Sequence, residues 1–316
     1  MAVPRALPAG FGELEVLAVG TVLLMEALSG LSLNGLTIFS FCKTPDLRTP
    51  SNLLVLSLAL ADSGISLNAL VAAVSSLLRR WPYGSEGCQA HGFQGFATAL
   101  ASICGSAAIA WGRYHHYCTR RQLAWNTAIP LVMFVWLSSA FWASLPLMGW
   151  GHYDYEPLGT CCTLDYSRRD RNIISFLFIM AFFNFVVPLF ITLTSYQLME
   201  HKFSRSGHLQ VNTTLPGRML LLGWGPYALL YLYAAIADVS FISPKLQMVQ
   251  TLPKPKELST LHLHICLSCC IMPSGFLLTH SLVLSFFLLP LSSFKYSQSV
   301  ENVFVPFRST PWTTLR

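Results

Sequence analysis

Residues 53–78 read LLVLSLALADSGISLNALVAAVSSLL, 26 positions with one ionisable side chain, Asp62. About 20 apolar residues in a helix suffice to cross the hydrocarbon core of a bilayer. In lipid an open-ended segment must satisfy its own backbone, and helix is the element that does so. The stretch therefore reads as a membrane helix, a span over 52–78. Six further runs of the same character lie on either side, at 16–41, 90–111, 127–149, 173–199, 216–241 and 261–291. Polar, turn-like dividers separate many of them: Lys43-Thr44-Pro45-Asp46, Arg79-Arg80-Trp81-Pro82-Tyr83-Gly84, Arg168-Arg169-Asp170-Arg171, and the segment from His201 to Pro216.

Composition agrees. The chain of 316 residues is 53% hydrophobic and 11% charged, with a mean hydropathy of +0.52, whereas a soluble domain carries about 25% charged residues. That deficit sets aside a water-soluble enzyme, a disordered hub and a nucleic-acid binder. The formal charge of +6 is not gathered into basic runs, so no nucleic-acid partner is expected. The first apolar run exceeds a signal peptide in length and follows Glu13 and Glu15 rather than a basic stretch, so it reads as a retained first helix. With the N-terminus outside, the inner segments hold slightly more than half of the 20 Lys and Arg, a thin margin for orientation. The expected architecture is an all-α integral membrane protein, a bundle of seven transmembrane helices, with the lipid bilayer as its first partner.

Cysteine placement adds a constraint. Cys88 opens the third run, while Cys161 and Cys162 lie in the longest loop, on the same side of the membrane. An outward loop meets an oxidising compartment, so a bridge from Cys88 to one of that pair is expected. Two ionisable side chains fall inside apolar runs, Glu26 and Asp62, and such residues are functional hypotheses by default. Glu26 reads equally well as a helix-end residue reaching water. Asp62 lies deeper, and a polar network with Asn34 of the first span would make it tolerable. Pro146, Pro188 and Pro226 each remove a helix hydrogen bond and are expected to kink their spans. Around the last, Trp224 and Tyr227 flank the kink, a pattern suited to an apolar ligand between helices.

Taken in order, Asn34, Asp62, Cys88, Arg113, Trp136, Pro188 with Tyr196, and Trp224-Gly225-Pro226-Tyr227 resemble a rhodopsin-class G-protein-coupled receptor. Cys88 and Arg113 are 25 residues apart, as in that family. Gly149-Trp150, Cys162-Thr163-Leu164-Asp165-Tyr166 and the Trp-Gly-Pro-Tyr of the sixth span narrow the resemblance to the opsins. It runs from about Phe11 to Val249 and divides the chain into an extracellular N-terminus (1–15), opsin-like helices one to six (16–249) and a divergent segment (250–316) with a surrogate seventh helix at 261–291. The resemblance implies an outside N-terminus and a disulfide between Cys88 and Cys162. It implies retinal as cofactor, in a pocket lined by Phe96, Ala99, Met180, Phe185, Trp224 and Tyr227. It also implies residence in intracellular membranes or the plasma membrane of retinal pigment epithelium and Müller cells.

Several positions depart from the family pattern. The acidic counterion of visual pigments is replaced by His91, and Glu156 in the outer loop is the carboxylate that could serve instead. The family's acid-Arg-Tyr appears as Gly112-Arg113-Tyr114, and Ser206 stands where visual pigments place a second acid, so Arg113 loses both restraints. This puts the G protein in question as a partner and favours a photoisomerase of the visual cycle, turning all-trans retinal into the 11-cis form. The lysine that binds retinal in opsins falls at Pro255, between Lys254 and Lys256, with prolines at 253 and 255. The chain accordingly lacks that lysine at the matching position, and covalent attachment is not expected. Two alternatives follow: an inactive or regulatory isoform that associates with the full-length protein, or a receptor signalling through Arg113 and Tyr196. The tail's His262, His264, Cys266, Cys269 and Cys270 invite a metal reading, but their spacing lacks the separated ligand pairs of structural zinc sites, and no metal is expected.

Overall fold

A computed structural model describes residues 13–156, 159–165 and 170–205. Four long helices open the chain: α1 (Glu13–Lys43), α2 (Pro50–Leu77), α3 (Gly84–Thr119) and α4 (Trp125–Ser144). A two-stranded antiparallel hairpin follows, β1 (Tyr153–Tyr155) paired with β2 (Cys162–Leu164), with Tyr153 opposite Leu164 and Tyr155 opposite Cys162. The fifth span consists of α5 (Arg171–Ala181), a π-helical turn (Phe182–Val186) and α6 (Val187–Arg205). All five spans are long and apolar enough to cross a membrane. The runs at 216–241 and 261–291 lie outside the described residues, and with them Trp224, Pro226, Tyr227, Lys254, Pro255, Lys256 and the His/Cys cluster of the tail.

The helix ends follow local chemistry. Thr49 caps α2, its hydroxyl accepting the Asn52 N–H at 3.3 Å, and Pro50 supplies the first residue, where its missing N–H costs nothing. Asp170 caps α5 by accepting the Ile173 N–H at 2.8 Å. Two of the proline expectations change in form. Pro146 does not kink α4. The helix has ended at Ser144, and the proline sits in the turn that follows, where no helical hydrogen bond is lost. The proline inside α4 is Pro130. Pro188 acts through the π turn that precedes it: with no N–H to offer the Asn184 carbonyl, the chain widens by one residue, and the Val187 N–H donates to the Phe182 carbonyl.

Helices in lipid gain little from the hydrophobic effect and instead pack through small residues and shared hydrogen bonds. α1 and α2 meet at Gly30, where a Cβ would come within 2.3 Å of the Ser66 hydroxyl oxygen. A larger residue there would have to displace the Ser66 hydroxyl, which donates to the Asp62 carbonyl at 2.9 Å. The outer halves of α2 and α3 are joined by amides: Asn68 donates to the Gln94 side chain at 2.7 Å and to the His91 carbonyl at 2.9 Å, and Gln94 donates to the Gly64 carbonyl at 2.9 Å. Trp136 of α4 reaches α2, its indole N–H donating to Ser57 at 3.0 Å. Phe134, Leu137 and Phe141 of α4 and Phe182, Phe183 and Phe190 of the fifth span are exposed, as residues facing acyl chains should be.

Candidate functional site

The outer end of the bundle is organised around the hairpin. Cys162 of β2 is joined to Cys88 near the start of α3, with their Cα atoms 5.3 Å apart. Successive strand residues face opposite ways, so Cys161 points elsewhere and is buried against Val16, Leu23 and Ala69 of α1 and α2. Tyr153 of β1 is fully buried, its hydroxyl donating to the Ala143 carbonyl at 2.8 Å. Its ring lies over Gly92, where a Cβ would approach to 2.6 Å, so only glycine lets the hairpin settle onto α3. Gln89 completes the seam by donating to the Tyr153 carbonyl at 2.9 Å.

Beneath the hairpin lies an apolar zone shared by α3 and the fifth span. Tyr153, Leu164, Ile173, Phe176, Leu177 and Met180 form one buried cluster, with Phe96 packed against it. Phe96 stands edge-on to both Tyr153 and Phe176, with ring centroids 6.4 Å apart in each case. Deeper in the bundle, Ala99 and Phe185 pack against Ile65 and Ile103. Four of the expected pocket residues therefore occupy two apolar clusters on the facing helices. The other two, Trp224 and Tyr227, lie outside the described residues.

The counterion candidates take different places. His91 is buried, with Nδ1 2.9 Å from the Cys162 carbonyl and Nε2 3.2 Å from the Asn68 carbonyl, and its ring meets Trp81 edge-on at 5.0 Å. It fastens the hairpin to α2 and α3. Glu156 follows β1 and is half-buried; its backbone closes the hairpin, the N–H donating to the Cys161 carbonyl at 3.0 Å.

Asn34 and Asp62 are both buried. Asp62 accepts a hydrogen bond from Ser102 of α3 at 2.8 Å, and Asn34 donates one turn back to the Gly30 carbonyl at 3.0 Å. Ser102→Ala removes the donor with little change in shape. It should lower the melting temperature in detergent by the equivalent of about 1–3 kcal/mol, and an unchanged melting temperature would show that Asp62 does not depend on Ser102.

At the inner end, Arg113 donates to the Tyr196 hydroxyl at 3.1 Å, bringing together the two residues expected to act in signalling. Lys202 hydrogen-bonds to the Cys118 carbonyl, holding α6 to the end of α3. The sequence had not marked Ser102, Tyr153, Phe176 or the Asn68–Gln94 pair. Serine and asparagine are frequent along these spans, and their roles depend on which helix faces them. For Tyr153 and Phe176, aromatic residues just before and after the Cys162 loop were the available signal.

Over residues 33–304 the chain matches the family described as 7 transmembrane receptor (rhodopsin family). It is 91% identical over 252 residues to the RPE-retinal G protein-coupled receptor of Mus musculus, an alignment covering 80% of this chain and 87% of that protein. The human protein of the same name is 83% identical over 252 residues, with the same coverage. The human visual pigment-like receptor peropsin is 29% identical over 262 residues, covering 77% of this chain and 78% of peropsin. The crystal structure of squid rhodopsin superimposes with a TM-score of 0.70 at 22% identity, over 92% of this chain and 91% of that one, a likeness of fold. With five apolar spans described and the fold of a seven-helix bundle, the chain is an integral, multi-pass membrane protein, and it belongs to the rhodopsin family of seven-transmembrane receptors.

Proposed function

We propose that this chain is an opsin-like retinal-binding membrane protein whose parent reaction is the light-driven conversion of all-trans to 11-cis retinal, and that it holds its ligand without a covalent link. The observation that carries this reading is the apolar wall beneath the hairpin, where Phe96 and Met180 share one cluster and Ala99 and Phe185 the next. Such a wall suits a rigid, apolar polyene. When bound, retinal supplies the light-absorbing polyene and the bond that isomerises. Phe96 and Phe176 would hold the chain of the ligand between α3 and the fifth span. Tyr153, seated by its bond to Ala143, would help the hairpin exclude water from above.

No amine reaches this zone among the described residues. Lys43 sits in the last turn of α1, and Lys202 is bonded at the inner end of α3, both at the opposite end of the bundle from the Cys88–Cys162 bridge. Arg113 has Gly112 in place of a neighbouring acid, which supports an isomerase over a signalling receptor.

The test is to incubate the purified full chain with all-trans retinal, illuminate it, and analyse the extracted isomers against a dark control. Enrichment of the 11-cis isomer above that from free retinal in the same detergent is expected. Equal isomer ratios with and without protein would remove the isomerase reading. Light-dependent GTP exchange on a purified G protein would favour the receptor reading instead.

A further inference from the structure

The buried face of the fifth span is a stripe at helical spacing: Ile173, Phe176, Leu177, Met180 and Asn184. The four apolar members belong to the cluster beneath the hairpin. The fifth member is an asparagine, 2% exposed and the one buried residue of the π turn. Asn184 follows Met180 by one turn and precedes Phe185, which packs against Ile65 and Ile103 in the deeper cluster. It stands between the two parts of the apolar wall. We propose that Asn184 determines ligand specificity, its side-chain amide hydrogen-bonding the terminal oxygen of an otherwise apolar polyene. This inference rests on the retinal-binding reading above and assigns the end of the ligand that meets the fifth span.

A buried amide costs free energy unless its polar groups are bonded. The asparagine side chain has two N–H donors and a carbonyl acceptor. Among the described residues, the Asn184 side chain donates to the Met180 carbonyl at 3.2 Å, a bond along its own helix. A second N–H and the amide oxygen remain for a group inside the bundle. Leucine, close to asparagine in size, would continue the apolar stripe without that cost. Polar side chains of the facing helix α3 are turned toward α2 instead. Gln94 donates to the Gly64 carbonyl at 2.9 Å, and Ser102 donates to Asp62 at 2.8 Å. Asn184 therefore supplies the polar function of the wall that bears Met180 and Phe185. Ligand pockets of this kind are mostly apolar, and a few polar groups within them fix orientation and specificity.

The missing lysine gives that group a task. A lysine at the matching position would fix the aldehyde at the seventh span, and Pro255 in its place removes that tether. A free aldehyde in an apolar site then needs a donor for its oxygen. The Asn184 N–H meets that need. A site built to hydrogen-bond one group of its ligand discriminates against an analogue lacking it, because the amide is then left buried and unpaired.

The experiment compares two ligands of the purified full chain in detergent. They are all-trans retinal and axerophthene, the hydrocarbon with a methyl group in place of the aldehyde. Quenching of tryptophan fluorescence follows binding, and infrared difference spectroscopy reads the carbonyl stretch of bound retinal. In the wild type that stretch should lie below its value in a hydrocarbon solvent. Asn184→Leu should lower the affinity ratio of retinal to axerophthene about 3–10-fold, the effect of one neutral hydrogen bond. It should also return the stretch to the hydrocarbon-solvent value. Asn184→Ala, which removes the amide without adding bulk, should do the same. A purely structural role would weaken both ligands together and leave the stretch alone. An unchanged ratio or an unchanged stretch in these variants would overturn the proposal while leaving retinal binding intact. A wild type that binds neither polyene would overturn the retinal-binding reading and this inference with it.

Discussion

Borohydride reduction of the retinal-treated chain, followed by peptide mapping, is expected to find no near-stoichiometric retinyl adduct on Lys254 or Lys256. Attachment of retinal needs an uncharged amine within bonding distance of the aldehyde, in a site that then keeps water away. Counting 29 residues from Pro226 reaches Pro255, which has no amine. Prolines at 253 and 255 disfavour a regular helix around Lys254, and both lysines precede the apolar run at 261–291 in the sequence, so their ammonium groups are expected in water. Lys43 and Lys202 of the described residues lie at the inner end, the former 5.9 Å from the Phe39 ring centroid and the latter tied to the Cys118 carbonyl. Near-stoichiometric labelling of Lys254 or Lys256 would overturn this expectation and restore a covalent pigment. Isomer production under light without an adduct would support binding of retinal as a free aldehyde.

Cys162→Ser is the second change with a large expected effect. The bridge closes a loop between residues separated by 74 positions, and removing such a bond costs about 2–4 kcal/mol. The neighbouring Cys161 should not rescue it. Strand alternation turns Cys161 into the α1–α2 cluster with Val16, Leu23 and Ala69, while Cys162 faces α3. A Cys88–Cys161 bond would require the hairpin to slip by one residue, drawing Tyr153 off Gly92 and breaking its bond to the Ala143 carbonyl. The variant should melt at a markedly lower temperature in detergent. Mass mapping under non-reducing conditions should show Cys88 unpaired, and a Cys88–Cys161 peptide with wild-type stability would contradict this account.

Much of the architecture could be read before any coordinates. An unbroken run such as 53–78 has one physical solution in lipid, so the five described spans fall where hydropathy put them, with ends displaced by one to eight residues, most at α3 (Gly84–Thr119 against 90–111). The Cys88–Cys162 pairing was anticipated by resemblance, whereas Arg113 and Tyr196 were marked separately and only the structure brings them together. Glycine and proline were less transparent. Pro146 and Pro188 lie within apolar runs that look alike, yet one follows the end of a helix and the other is absorbed by a π turn, because neighbouring backbone conformations decide which carbonyl loses its donor.

Length and composition of the apolar runs by themselves determined the membrane class and the five described spans, since both depend on the free energy of placing side chains in lipid or water. Only the tertiary structure decided that Ser102 donates to Asp62, that His91 fastens the hairpin, and that Arg113 donates to Tyr196 at the inner end of the bundle. Hydrogen bonds act over about 3 Å, and which groups come that close is settled by how adjacent helices approach, at contacts as tight as Gly30 against Ser66 and Gly92 under Tyr153.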